Sequence, residues 1–264
     1  MTNTVEQDNQ QRSAGDMRKQ RVVGAAPAGA ADEAAAAVAV RNMFSSIAPR
    51  YDLLNHVLSM NVDRAWWNRT ARAFDAILSR RGARVLDLCC GTGDMTFALH
   101  RRMKADSSDL VGADFSHAML VRAAAKTGKK PIRWVEADAL HLPMPEGRFD
   151  LVTAAFGFRN LANYDRGLGE IYRVLSNNGE VGILDFGEPK GLIGTVYRLY
   201  FRHVLPAIGT VISGVSGPYA YLPRSVQRFP SPDEMVQRMR TVGFRDVSWT
   251  PYTFGIAGLY RGKK

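Results

Sequence analysis

The sequence lacks most of the features that place a protein by composition alone. It has two cysteines, adjacent at Cys89 and Cys90. Neighbouring cysteines cannot staple distant segments, and nothing beside them completes a metal set. The five histidines, His56, His100, His117, His141 and His203, form no ligand cluster in sequence, so no metal is expected. No apolar run reaches membrane-spanning length, and the Ala-rich stretch 34–40 falls far short of it. Met1–Gln20 is polar with no apolar segment behind it, so the expectation is no secretory leader and a cytoplasmic chain. Internal repeats are absent.

What is present is size, apolar content and positive charge. The chain has 264 residues, 46% of them hydrophobic, and a formal net charge of +10. That is enough for one large core. The charge favours anionic partners such as nucleic acid, an acidic substrate or a membrane face. The basic residues are dispersed, at Arg18–Arg21, Arg80-Arg81, Arg101–Lys104, Lys129-Lys130 and Arg261–Lys264. No nucleic-acid-reading motif accompanies them.

Residues 1–30 are rich in Gln, Asn, Ala and Gly without periodicity, and read as a flexible tail. Residues 31–264 read as a single domain that opens with a helical lid over 31–80. In the lid, Val40, Phe44 and Ile47 share a face, Pro49 interrupts, and Trp66-Trp67 sit in a segment reaching about Leu78. Strict alternation follows. Strands are expected at Val85–Leu88, Leu110–Ala113, Ile132–Val135, Phe149–Ala154 and Glu180–Phe186. Helices are expected at Asp94–Met103, Ser116–Ala125 and Asp165–Leu175, the last ending near the turn Asn177-Asn178-Gly179. This is the pattern of an α/β fold, an open parallel sheet with helices on both faces. Residues 187–230 are rich in glycine, aromatic and aliphatic residues and poor in acids, and read as a mobile helical insert on the substrate side. A helix over Pro232–Val242 and a closing hairpin of Val247–Thr250 and Phe254–Tyr260 complete a mostly parallel sheet of seven expected strands.

The run Arg84–Asp94 carries the chemistry. A short apolar strand ends at Asp87 and breaks into Gly91-Thr92-Gly93-Asp94. Ligands of such sheets bind outside the carboxyl ends of the strands. Gly91 and Gly93 let backbone approach a ligand, and Thr92 adds a hydroxyl. A dinucleotide turn would carry G-x-G-x-x-G. Here the third glycine is missing, and Asp94 would sit badly beside a pyrophosphate. A nucleoside that carries an amino acid and no phosphate suits these acids better, and S-adenosylmethionine is such a molecule. Asp114 is placed to accept from ribose hydroxyls. Asp138 and Ala139 are placed to meet the adenine amino edge. Three strand-end acids together favour ligand use, because buried aspartates are costly without partners. Each alone also fits a helix cap.

These stretches resemble the class I, Rossmann-like S-adenosylmethionine-dependent methyltransferases: Asp87–Asp94, Val111–Ser116 with Met119-Leu120, and Glu136–Ala139. More specifically, the chain resembles the ubiquinone/menaquinone biosynthesis C-methyltransferases over about residues 40–264. The stretches that carry this are Met43–Asn55, Phe156–Asn160, Glu170–Leu175, Tyr221–Val226 leading to Phe229-Pro230, and Gly255–Ala257 followed by Lys263. It departs from the family at Asp63, where His is common, and at Ala155, where Ser is common. The pair Cys89-Cys90 replaces Ala-Gly in a form familiar from menaquinone-type members.

The resemblance implies methyl transfer to a ring carbon of a polyprenylated hydroquinone, either a demethylmenaquinol or a benzoquinol precursor of ubiquinone. It implies a donor site that also includes Phe115 and Ala155. It places Arg159, Asn160 and Tyr51 where donor and ring meet. Arg159 would stabilise phenolate charge or organise a water, or else pair structurally with an acid such as Asp185; it is a poor direct base. Asn160 would orient the ring hydroxyl or the donor, and Tyr51 would approach both or pack in the core. Asp63 and Arg64 would help close the lid. Asp185 and Glu188 end the fifth strand near any proton to be accepted. The apolar insert would hold the prenyl tail or a homodimer interface. The cationic surface would let the enzyme touch an anionic bilayer peripherally, at the inner face of the cytoplasmic membrane. Three other readings remain: a methyltransferase for another phenolic or lipid-like small molecule, a nucleic-acid methyltransferase, and a donor-binding protein without turnover. The nucleic-acid reading is disfavoured because a suitably placed catalytic cysteine is lacking.

Overall fold

The computed structural model describes residues 24–25, 27, 30–48, 61–104, 109–187, 189, 191, 194–195 and 218–264. Most of the expected tail, Tyr51, Glu188 and most of the 187–230 insert lie outside them. The end of the expected tail is not free, because Gly24 and Ala25 donate their amides to the Ala162 and Leu161 carbonyls at 2.9 and 2.7 Å and Ala25 is buried. Seven strands form one sheet: β1 (Arg84–Leu88), β2 (Asp109–Asp114), β3 (Ile132–Glu136), β4 (Phe149–Ala155), β5 (Leu175–Phe186), β6 (Arg245–Tyr252) and β7 (Ala257–Lys263). Their order is β3-β2-β1-β4-β5-β7-β6. β1 to β5 pair in parallel, whereas β7 runs antiparallel to both β5 and β6. The described helices are α1 (Glu33–Ile47), α2 (Val62–Arg72), α3 (Asp75–Leu78), α4 (Asp94–His100), α5 (His117–Thr127), α6 (Tyr164–Val174), α7 (Pro218–Arg228) and α8 (Pro232–Val242).

Both faces of the sheet are covered, which is why its central strands are apolar throughout. The two-residue pleat divides them cleanly. Leu86, Leu88, Val152 and Ile183 join the core on one face, together with Leu168 and Ile171 of α6 and Met235 and Met239 of α8. Val85, Leu151 and Leu184 join the other, with Trp66 and Trp67 of α2, Ile77 of α3 and Met95 and Leu99 of α4.

Local chemistry sets the helix ends. Asp32 caps α1 by accepting from the Ala35 amide at 2.9 Å. Ser231 and Glu234 form a full capping box on α8, Pro232 opens its first turn, and Gly243 (φ 118°) ends it.

Three of the differences from the expected boundaries have local causes. The lid's second segment breaks between α2 and α3 at Ala73-Phe74. The expected turn at Asn177–Gly179 lies inside β5, because Leu175 already pairs with Phe149; the extra residues form an irregularity with Asn178 at φ 66°. β7 begins at Ala257, since Thr253 and Phe254 take positive φ in a short 3₁₀ turn between the paired strands.

Candidate active site

β1 and β4 are neighbours whose onward connections run to opposite sides of the sheet, and ligands bind at such switch points. A cleft of about 720 Å³, its open mouth included, lies at their carboxyl ends. Leu88, Cys89 and Gly91 follow from β1, Asp114 and Phe115 from β2, and Asp138 to Leu140 from beyond β3. Ala155, Phe156, Gly157 and Asn160 follow from β4. Helix α1 supplies Ala37 and Phe44.

The two turns at the switch point hold unusual backbone. Cys89 has φ 54° and Phe156 φ 57°, in the left-handed region that non-glycine residues rarely enter. Phe156 is fixed there by donating its amide to the Leu184 carbonyl at 2.7 Å. The turns press together: a Cβ on Gly157 would lie 2.3 Å from Cβ of Cys89. Glycine is therefore the residue that lets the β4 turn close on the β1 turn. Burial and the charges of Asp114 and Asp87 push both cysteine thiols well up. They remain neutral packing groups.

Asp114 is buried, and its two oxygens divide their work. Oδ2 accepts from the Gly91 amide and Oδ1 from the Ser116 amide, each at 2.9 Å. Burial raises its pKa to about 6, although these amide donors pull the other way. Asp114 lines the cleft, and a carboxylate has acceptor sites beyond these bonds, which suits a vicinal diol. Asp138 accepts from the Leu140 amide at 2.9 Å and stands 3.6 Å from His141 Nδ1.

Asp87 behaves differently. The pleat turns it to the same face as Val85, under α4. There Thr96 Oγ1 donates to Oδ2 at 2.5 Å and Thr153 Oγ1 to Oδ1 at 2.7 Å. It is fully buried, and desolvation lifts its pKa to about 7. It ties α4 to β1 and β4 and does not line the cleft. Thr92 and Gly93 belong to the turn that leads into α4. Thr92 Oγ1 reaches Asp94 at 3.5 Å, and Gly93 (φ 92°) starts α4 against the Trp134 and Phe97 rings.

Arg159 is buried in a short turn over Phe158–Asn160. Its amide and Nη1 donate to Asp185 at 3.0 and 2.9 Å, its Nη1 also donates to the Phe156 carbonyl, and its guanidinium lies over the Phe186 ring. Of the possibilities read from the sequence, the pair with Asp185 is present, and the next residue, Asn160, lines the cleft. Asp63 is buried at the start of α2.

Sequence reasoning missed Ala37, Met119, Leu140 and Leu161 as cleft walls. Only their position over the strand ends marks them, and small or aliphatic residues carry no chemical signal.

The cleft's described lining holds two carboxylates and no lysine, arginine or histidine. Such a wall offers a pyrophosphate no cationic side chain among the described residues and suits a cationic, phosphate-free nucleoside, so the residues fit S-adenosylmethionine. Among the described residues, no group of three or more His, Cys, Asp or Glu could hold a metal. A doubly covered, mostly parallel seven-stranded sheet with an antiparallel β7 and this cleft define a class I S-adenosylmethionine-dependent methyltransferase. The same fold recurs in a SAM-dependent methyltransferase from Aquifex aeolicus, with a TM-score of 0.54 and 17% identity over 74% of this chain and 88% of that one. The chain belongs to the ubiE/COQ5 methyltransferase family, whose model matches residues 31–264. Among its relatives, the demethylmenaquinone methyltransferase of Deinococcus radiodurans is 52% identical over 86% of this chain and 92% of the relative. That of Thermus thermophilus is 48% identical over 84% and 100%.

Proposed function

We propose that this enzyme transfers the methyl group of S-adenosylmethionine to a ring carbon of a polyprenylated demethylmenaquinol. The observation that carries the donor half is the cleft at the β1/β4 switch point, whose described lining is acidic and holds no cationic side chain. The acceptor half rests on the likeness to the demethylmenaquinone methyltransferases, which spans nearly their whole length.

In this reading Asp114 accepts from the ribose hydroxyls, and Asp138 and Ala139 meet the adenine edge. Phe115 and Leu140 flank the base, and Gly91 and Ala155 border the rest of the donor. Asp87, Thr92 and Gly93 serve the donor by shaping the turn rather than by touch. When bound, the donor supplies an electrophilic methyl on a sulfonium. The protein's task is to hold an ionising ring hydroxyl beside it, dry and in line. Asn160 reaches the cleft from the same turn that buries Arg159, so the cationic Arg159 stands close behind the ring site and favours phenolate charge there.

The net charge of +10 supports contact with an anionic membrane surface, where a prenylated substrate resides. Among the described residues no helix is long and apolar enough to cross a membrane.

The test is methylation of a panel of demethylated naphthoquinols and benzoquinols with isotopically labelled donor, located by mass spectrometry. Label on the naphthoquinol ring carbon is expected. Labelling of benzoquinols alone, or of no quinol carbon, would overturn the reading.

A further inference from the structure

Beside the donor cleft lies a small group of polar atoms with no partner. Among the described residues, three buried side-chain atoms make no hydrogen bond: Arg159 Nε, Asn160 Oδ1 and Tyr221 Oη. They are not scattered. Arg159 and Asn160 are consecutive in the turn after β4, and Tyr221 is on α7, which packs against that turn. Buried polar groups in native proteins are nearly always paired. Three unpaired in one place mark a position where a polar ligand atom completes the structure.

The surroundings say which ligand. The nucleoside wall is made by the ends of β1 and β2 and the residues after β3. The unpaired group stands over β4 and β5, on the acceptor side. Asp185 is not available to it, because it already accepts from the Arg159 amide and Nη1 and from the Phe186 amide at 2.9 Å. Tyr164 locks the turn further by donating its hydroxyl to the Arg159 carbonyl at 3.1 Å. Arg159 is thus held rigidly, and what remains open is one acceptor, Asn160 Oδ1, and two donors, Arg159 Nε and Tyr221 Oη. One ionisable ring oxygen matches that set: its O–H can be received by Asn160, and its lone pairs can receive from Tyr221.

We propose that the Tyr221 hydroxyl donates a hydrogen bond to a ring oxygen of the acceptor, beside Asn160, and that Asp185 is the positioning residue that fixes Arg159 behind them. This rests on the reading that the acceptor is a hydroxylated ring. Burial raises the Tyr221 phenol above its ordinary value, with Arg159 and Arg228 acting against and Asp185 with that shift. The group therefore keeps its proton and acts as a donor rather than a base. The donated bond strengthens as charge gathers on the ring oxygen, which is the condition for lowering a barrier rather than merely tightening binding.

The test uses the full chain loaded with S-adenosylmethionine. Tyr221→Phe removes one oxygen and keeps the ring. Donor affinity by calorimetry is expected to stay within about twofold, kcat on the quinol to fall roughly 10- to 100-fold, and KM to change little. As a reading independent of turnover, 1-naphthol is titrated by absorbance while bound. Its ionisation is expected about one pH unit higher in Tyr221→Phe than in wild type. An unchanged kcat and an unchanged naphthol titration in a folded variant overturn the proposal, as does failure of 1-naphthol to bind the donor-loaded wild type. If Tyr221→Phe does not fold, 3-fluorotyrosine at position 221 replaces it. That more acidic donor should move the naphthol ionisation downward, and no movement overturns the proposal. A wild type that binds naphthol but methylates no quinol counts against the substrate reading alone, leaving Tyr221 to the titration.

Discussion

Asp114 shows what one carboxylate gains and loses by being built into a strand end. Its two amide bonds favour the ionised form, yet burial outweighs them and leaves a pKa of about 6. Protonation would occupy one of the acceptor sites that these bonds leave over. Donor affinity is therefore expected to hold above pH 7 and to fall below about pH 6, by up to roughly tenfold per unit. Asp114→Asn should lose at least about tenfold at pH 7.5 and no longer show that dependence. Calorimetry with S-adenosylmethionine at pH 5.5 and 7.5 measures both, and a variant that retained the pH dependence would remove Asp114 from the donor site. Asp114 was legible in the sequence because an acid directly follows an apolar run. Asp87 follows one too, but a strand-end acid faces the cleft only if the pleat turns it there. That depends on register against β2 and β4, which the sequence of one strand does not contain.

At the scale of elements, α1 is a wall held by few bonds. Glu33 accepts from Arg166 Nη1 at 2.9 Å and Asn163 Nδ2 at 2.8 Å, tying the start of α1 to α6. Ser45 and Ser116 hydroxyls meet at 3.1 Å near its far end, and Arg41 lies over the Phe115 ring. Between these fastenings Ala37 and Phe44 face the cleft. Arg166 also contacts His141, which stands against Asp138, so the latch on α1 and this cleft-lining acid share one polar chain. Glu33→Ala is expected to cost about 1 kcal/mol of closure, weakening donor binding roughly fivefold. Far-UV circular dichroism should not change. Calorimetry that found unaltered affinity would show α1 to be a passive cover. The helix itself was legible from Val40, Phe44 and Ile47 on one face, and its end from Pro49. Its fastening was not, because Glu33 and Arg166 lie 133 residues apart. The start of β5 was hidden for a related reason: Asn177-Asn178-Gly179 has turn chemistry, and only pairing of Leu175 with Phe149 makes it part of a strand.

For the whole molecule, two opposed charge effects govern stability against pH. The net charge is +10 at pH 7 and grows as surface carboxylates protonate, so repulsion destabilises the fold toward acid. Asp87 acts in the other direction. In the unfolded chain its pKa is near ~3.9, whereas burial raises it to about 7 in the folded protein. Between those values the folded state keeps a proton that the unfolded state has released. The stability contributed by the neutral buried acid is thus fully present below about pH 4 and is lost as pH rises through about 7. Asp114 adds a smaller loss in the same direction, complete at its lower value of about 6. The bulk term obscures both in a single unfolding curve, but it cancels between wild type and Asp87→Asn. Asparagine resembles the protonated acid and can still accept from one threonine while donating to the other. The wild type is expected to gain most relative to Asp87→Asn near pH 4 and to lose that advantage toward pH 8, at no more than about 1.4 kcal/mol per pH unit. Urea unfolding of both proteins at pH 4.5, 6 and 7.5 reads the gap. A gap that stayed constant with pH would mean that Asp87 remains ionised in its threonine cage, and that its two hydroxyl donors outweigh the burial.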